Sequence, residues 1–157
     1  MHWCCDAHLA SFGGSVEEQG LDRIEQLCIE KGMRMTDQRR VIARVLSAAK
    51  DHPDVEEVYR RASAQDANIS IATVYRTVRL FEEAGILMRH DFLDGRSRYE
   101  ETPADHHDHL IDMKSGQVVE FCDPEIEALQ IAIARRLGYR LVGHRLELYG
   151  LPIGEGT

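Results

Sequence analysis

The chain lacks any run of eighteen apolar residues, and its N-terminus lacks the charged and apolar regions of a secretory signal. Neither a membrane span nor export is therefore expected, and a cytoplasmic location follows. Paired cysteine is missing too. Cys4, Cys5, Cys28 and Cys122 form no C-x-x-C pair, which speaks against a disulfide framework and against a cysteine-based zinc knuckle. Cys28 and Cys122 read instead as buried small residues. Net positive charge is also absent: the formal balance is -8, and the last third holds only Lys114, Arg135, Arg136, Arg140 and Arg145 as basic residues. Taken as a sum, this argues against a nucleic-acid partner, because phosphate contacts supply most of such affinity. Distribution matters more. Arg34, Arg39, Arg40 and Arg44, then Arg60 and Arg61, then Arg76 and Arg79 gather in the first part, which is expected to present a basic face. Divalent ions held among carboxylates would make the charge less negative still.

What the chain does have is ligand chemistry. His106-His107-Asp108-His109 puts four potential metal ligands in consecutive positions, and Leu110-Ile111 follows at once. The run is therefore expected to enter a strand, with His107 and His109 facing one side and His106 and Asp108 the other. One segment would then serve two metal sites. Imidazole and carboxylate together are the usual ligands of divalent first-row metals; the competing reading is a solvated histidine-rich loop.

At 157 residues the chain holds one medium domain or two small ones. Residues 1–19 show no period and contain Gly13-Gly14, so they read as a disordered extension outside the fold. Leu21, Ile24, Leu27 and Cys28 recur at helical spacing up to Gly32. Thr36 caps a second helix with Val41, Ile42, Val45, Leu46 and Ala49 as its apolar stripe, ended by His52-Pro53. Asp54 caps a third, with Val55, Val58, Tyr59 and Ala62 inward. Ser70 starts a fourth, in which Val74, Val78 and Phe81 are buried and Gly85 is the stop. Ile86 to Phe92 and Ser97 to Glu101 flank Asp94-Gly95, a dipeptide that favours a tight hairpin. Short helices followed by a hairpin make a winged helix-turn-helix.

Beyond Pro103, Leu110 to Met113 and Val118 to Phe121 form a second hairpin around Lys114-Ser115-Gly116. Asp123-Pro124 opens a helix with Ile126, Leu129, Ile133 and Leu137 opposing the sheet, and Tyr139 to Tyr149 supplies the last strand. The expected class is mainly α with α+β. Its boundaries are an extension at 1–19, a winged-helix DNA-binding domain at 20–102, a small α/β dimerisation and metal-binding domain at 103–150, and a tail at 151–157. The second domain is small enough to gain from pairing with another copy.

Several strings together resemble the ferric uptake regulator family: Ser70-Ile71-Ala72-Thr73-Val74-Tyr75-Arg76-Thr77-Val78, Phe81-Glu82-Glu83-Ala84-Gly85-Ile86, Arg89-His90, the His106 to Ile111 run and His144-Arg145-Leu146-Glu147-Leu148-Tyr149-Gly150. The resemblance covers about Leu21 to Gly150. It implies a homodimeric, metal-responsive repressor of metal uptake and homeostasis genes that binds an A·T-rich palindromic operator, with tetramers on DNA as a further option. By motif position it implies a regulatory metal site of His52, Glu100, His107, His109 and Glu120, tying the two domains together, so that metal loss would free the hinge around Glu101 to Asp105. A second site would use His106, Asp108, Glu127 and His144. These ligands suit Fe(II) or Mn(II) physiologically, and Zn(II) or Co(II) in vitro, without selecting among them. The family's cysteine zinc site is missing, since Asp112 and Ser115 stand where its C-x-x-C falls, and this favours the iron or manganese branch seen in alphaproteobacteria. On DNA, Tyr75 and Arg76 are expected at bases and thymine methyls, Thr73 and Arg79 at phosphates, and Arg34 in the minor groove. His90 is assigned to neither metal site; contact with the domain interface, a place behind the metal's ligands and no role at all stay open for it. The alternatives are a peroxide-sensing repressor of the same family and a metal-dependent hydrolase, the latter without an evident base, nucleophile or phosphate cradle.

Overall fold

The computed structural model describes residues 22–103 and 105–154, which fall into two compact units divided between Pro103 and Ala104. Leu21 and the 1–19 extension, with His2, His8, Cys4 and Cys5, lie outside the described residues. Among the described residues no helix is long and apolar enough to cross a membrane.

Among the described residues, four helices open the N-terminal unit: α1 (Arg23–Glu30), α2 (Asp37–Ala48), α3 (Val55–Gln65) and α4 (Ile71–Glu83). Each begins at a side chain that accepts hydrogen bonds from otherwise unmatched backbone N–H groups: Asp22, Thr36, Asp54 and Ser70. Asp22 does more than cap, because Ser47 of α2 donates to its Oδ1 at 2.6 Å and so ties the start of α1 to its neighbour. The inward stripes of the four helices meet in one core containing Ile24, Cys28, Ile42, Leu46, Val58, Val74, Val78 and Phe81. Burial pushes the Cys28 thiol up to about 11, so it is an inert packing residue. Tyr59 is half-buried and packs against this core.

Two boundaries differ from the sequence reading. Helix α2 ends at Ala48, with Ala49 already extended at ψ 132°, so the chain leaves the helix before His52-Pro53 is reached. The hairpin, β1 (Leu87–Asp91) with β2 (Ser97–Glu101), closes at the Asp91–Ser97 pair and is joined by the longer loop 92–96, not by a two-residue turn. The loop is built by its own side chains. Asp94 accepts from the Arg96 backbone N–H at 3.0 Å and from the Arg98 guanidinium at 2.6 Å, and Gly95 supplies the left-handed φ of 79°.

The C-terminal unit contains β3 (Asp108–Asp112), β4 (Val118–Phe121), α5 (Pro124–Arg136) and β5 (Glu147–Gly150). Strand β3 is central, antiparallel to β4 and parallel to β5. The expected long last strand is corrected to four residues. Pairing of β5 with β3 runs from His109–Glu147 to Asp112–Gly150 and leaves only Asp108 of β3 ahead of it, so in this parallel register the chain from Tyr139 to Arg145 has no strand to pair with and is irregular. Helix α5 also departs from expectation: it buries none of its residues, and Leu129, Ile133 and Leu137 are 58%, 39% and 69% exposed. Among the described residues of this unit, Ile111 and Val118 alone are buried apolar side chains, so there is little apolar surface for the helix to cover. Cys122 is half-exposed rather than buried.

Candidate metal centres and nucleic-acid face

His106, Asp108, Glu127 and His144 converge within the C-terminal unit. His106 lies just before β3, Asp108 is its first residue, Glu127 projects from the first turn of α5 and His144 comes from the irregular segment before β5. The Asp123 cap sets that first turn: Asp123 accepts from the Glu125 and Ile126 N–H groups, and its carbonyl accepts from Glu127 N at 3.1 Å. The Nε2 atoms of His106 and His144 are 2.8 Å apart. Asp108 Oδ1 lies 3.3 and 3.2 Å from them, and Glu127 Oε1 lies 3.7 and 3.4 Å from them. Four ligands about 2.0–2.1 Å from a tetrahedral ion stand roughly 3.3 Å from one another, the spacing approached here. Asp108 is 1% exposed and its Oδ2 has no hydrogen-bond partner. A buried carboxylate of this kind is costly without a cation nearby. The donor set therefore fits a divalent metal.

The remaining candidate ligands belong to both units. In the N-terminal unit, His52 Nε2 lies 2.8 Å from Glu100 Oε2, and the other oxygen of Glu100 lies 2.6 Å from His90 Nε2. His52 is buried and has a left-handed φ of 49°, a conformation in which histidine is among the more tolerated residues but which still needs support from its surroundings. That support is visible on both sides of it. The Arg61 guanidinium grips the Asp51 carboxylate through two bonds of 2.9 and 2.5 Å, holding Asp51 below the usual carboxylate range, and Tyr99 N donates to the Pro53 carbonyl at 3.1 Å. In the C-terminal unit the His107 and His109 rings sit edge to face with centroids 4.9 Å apart, and His107 Nε2 lies 3.8 Å from Glu120 Oε1. His109 and Glu120 are directly opposite each other in the β3–β4 register. The division expected from strand alternation is thus present, although His106 and His107 precede the strand itself.

The four helix residues named for DNA occupy the outer side of α4. Tyr75 is 53% exposed, and the exposed Arg76 has no ion-pair partner among the described residues. Arg79 pairs with Glu83 at 2.9 Å, and the Thr73 hydroxyl lies 3.0 Å from the Ser70 cap. Tyr75, Arg76 and Arg79 line an open cleft of about 1070 Å³ together with Arg89 and Arg96 of the hairpin. Those last two were not assigned to DNA from the sequence, although Arg89 stands in one of the strings that carry the family resemblance; basic residues either side of a wing turn were the available signal. Arg34 is exposed just before α2, its carbonyl accepting from Arg39, and neither it nor Thr73 lines the cleft.

The profile of the Ferric uptake regulator family matches residues 30–149. The chain is 69% identical over 130 residues to the ferric uptake regulation protein of Rhizobium leguminosarum bv. viciae, covering 83% of this chain and 92% of that protein. It is 52% identical over 125 residues to the protein of the same description from Brucella suis biovar 1, covering 80% and 89%. Among solved structures, a zinc-bound manganese uptake regulator superposes with a TM-score of 0.77 at 68% identity, over 83% of this chain and 98% of that one. The Vibrio cholerae ferric uptake regulator does so with a TM-score of 0.73 at 38% identity, over 81% and 98%.

Proposed function

The chain belongs to the ferric uptake regulator family, and from that premise we propose that it is a metal-dependent transcriptional repressor of metal uptake and homeostasis genes. Regulators of this family bind DNA and function as dimers. Here the dimer would recognise an A·T-rich inverted repeat, with α4 of each copy in the major groove. Tyr75 and Arg76 would read bases, Thr73 and Arg79 would meet phosphates, and Arg34 would enter the minor groove.

The observation that carries this reading is the division of donors between the units. His52 and Glu100 belong to the unit that holds α4, while His107, His109 and Glu120 belong to the other. We assign all five to one regulatory ion. Two donors alone hold a divalent metal weakly, so an ion that needs both sets binds best to an arrangement in which they meet, and that preference is the switch. Nitrogen and oxygen donors without thiolate suit Fe(II) or Mn(II), and the relatives are named for iron and manganese uptake. His106, Asp108, Glu127 and His144 form the second site, confined to one unit and so suited to holding that unit together.

Mobility-shift titration on such a repeat tests the reading. Tight binding with Mn(II), or with Fe(II) under anaerobic conditions, and loss with chelator is the expected result; equal binding in both conditions refutes the switch. His107→Ala is expected to abolish metal-dependent affinity while Asp108→Ala retains it. Equal effects would refute the assignment of the two ligand sets.

A further inference from the structure

We infer that His90 is a positioning residue for Glu100, holding one carboxylate oxygen so that the other is presented beside His52; the inference rests on the regulatory site proposed above. The β1–β2 register sets His90 opposite Arg98 and Met88 opposite Glu100, so His90 and Glu100 are diagonal neighbours on one face of the hairpin. His90 Nε2 lies 2.6 Å from Glu100 Oε1, while Glu100 Oε2 lies 2.8 Å from His52 Nε2. One carboxylate thus spans two imidazoles, and its two oxygens have separate tasks.

The terminal torsion of a glutamate is broad, so a carboxylate ligand left to itself samples many orientations. An N–H donor on one oxygen narrows that range, which is how the partners of metal ligands raise affinity without touching the ion. His90 is suited to the task because its own ring is fixed. It is 5% exposed and lies parallel to the buried Phe92 ring, with centroids 5.5 Å apart and 4° between planes. The two contacts of Glu100 also differ in fate. An ion on His52 Nε2 and Glu100 Oε2 would take the place of the hydrogen between them, whereas the hydrogen bond to Oε1 survives loading. His90 is a positioning residue and not a ligand, since its Nε2 is directed at the oxygen facing away from His52.

The test is equilibrium Co(II) binding to the full chain, read by visible absorption and by competition with a chelator, in an Asp108→Ala background that removes the second site. His90→Phe keeps a ring on Phe92 and deletes the donor; about a 10–100-fold loss of Co(II) affinity and a changed absorption band are expected. His90→Gln keeps an N–H and should recover most of both. Wild-type affinity and band in His90→Phe overturn the inference, and so does an equal loss in His90→Gln, which would mark a packing role. If thermal unfolding shows that His90→Phe does not fold, His90→Gln against the shorter His90→Asn decides: loss only in the latter supports the inference, and equal behaviour of the two overturns it. His52→Ala separates the two proposals. Undiminished Co(II) binding in that variant ends the regulatory assignment itself, whereas loss there with no effect at His90 ends only the positioning role.

Discussion

Arg76 and Arg79 lie one helical turn apart on the same exposed side of α4, yet their surroundings differ. Arg79 already has Glu83 at 2.9 Å, and Arg76 has no ion-pair partner among the described residues. A guanidinium with no carboxylate to leave is the better base reader, because it breaks no ion pair on binding. Arg76→Ala is therefore expected to cost roughly 1–3 kcal/mol on the best operator and to relax specificity at one base pair. Arg79→Ala should weaken all sequences alike and reduce the salt dependence by about one phosphate contact. Fluorescence anisotropy over a salt series checks both, and an undiminished Arg76→Ala would remove that residue from the interface. At this scale the sequence was informative about how these side chains group, because strand alternation is local: His106 and Asp108 part from His107 and His109 within four residues. The contact of His90 with Glu100 was not legible, since it depends on the register of two strands across a loop whose length the Asp94-Gly95 signal understated.

At the scale of elements, α5 is the one whose apolar residues have nowhere to go within the described chain. Leu129, Ile133 and Leu137 recur every four residues on one face and are all exposed. In a family that functions as dimers, a second copy of this face is the cover we propose. Leu129→Glu, which the dimer would carry twice, is expected to raise the dimer dissociation constant at least tenfold, since burying one leucine contributes about 1.5–3 kcal/mol. Sedimentation velocity across micromolar concentrations would show the shift, and an unchanged dimer would mean that another surface holds the copies together. The helices themselves were readable because capping residues and stop glycines are written into the local sequence, as at Thr36, Asp54, Ser70 and Gly85. The start of β5 was not, because it is set by where β3 begins to offer a partner. Likewise the stripe on α5 announced an apolar face correctly, but periodicity carries no information about whether its cover comes from the same chain.

For the molecule as a whole, the two units differ in what holds them. The N-terminal unit has a core of helices sealed against a hairpin, while the C-terminal unit has Ile111 and Val118 as its buried apolar residues among those described. Apart from pairing with another copy, cation binding is the main source of stability open to such a small unit. Mn(II) or Zn(II) is accordingly expected to raise the thermal unfolding temperature, with a contribution of about 2.7 kcal/mol at a concentration one hundred times the dissociation constant. Asp108→Ala should abolish much of that rise, and differential scanning calorimetry that finds no metal dependence would refute it. The consecutive placement of His106 to His109 has a further consequence for how such a protein evolves. On the assignment proposed above, neighbouring side chains are dealt alternately to two ions, so deleting a single residue here would hand each ion the other's ligands. Both occupants would thus be bound to one reading frame of the strand, and neither centre could drift along the chain without dismantling its twin.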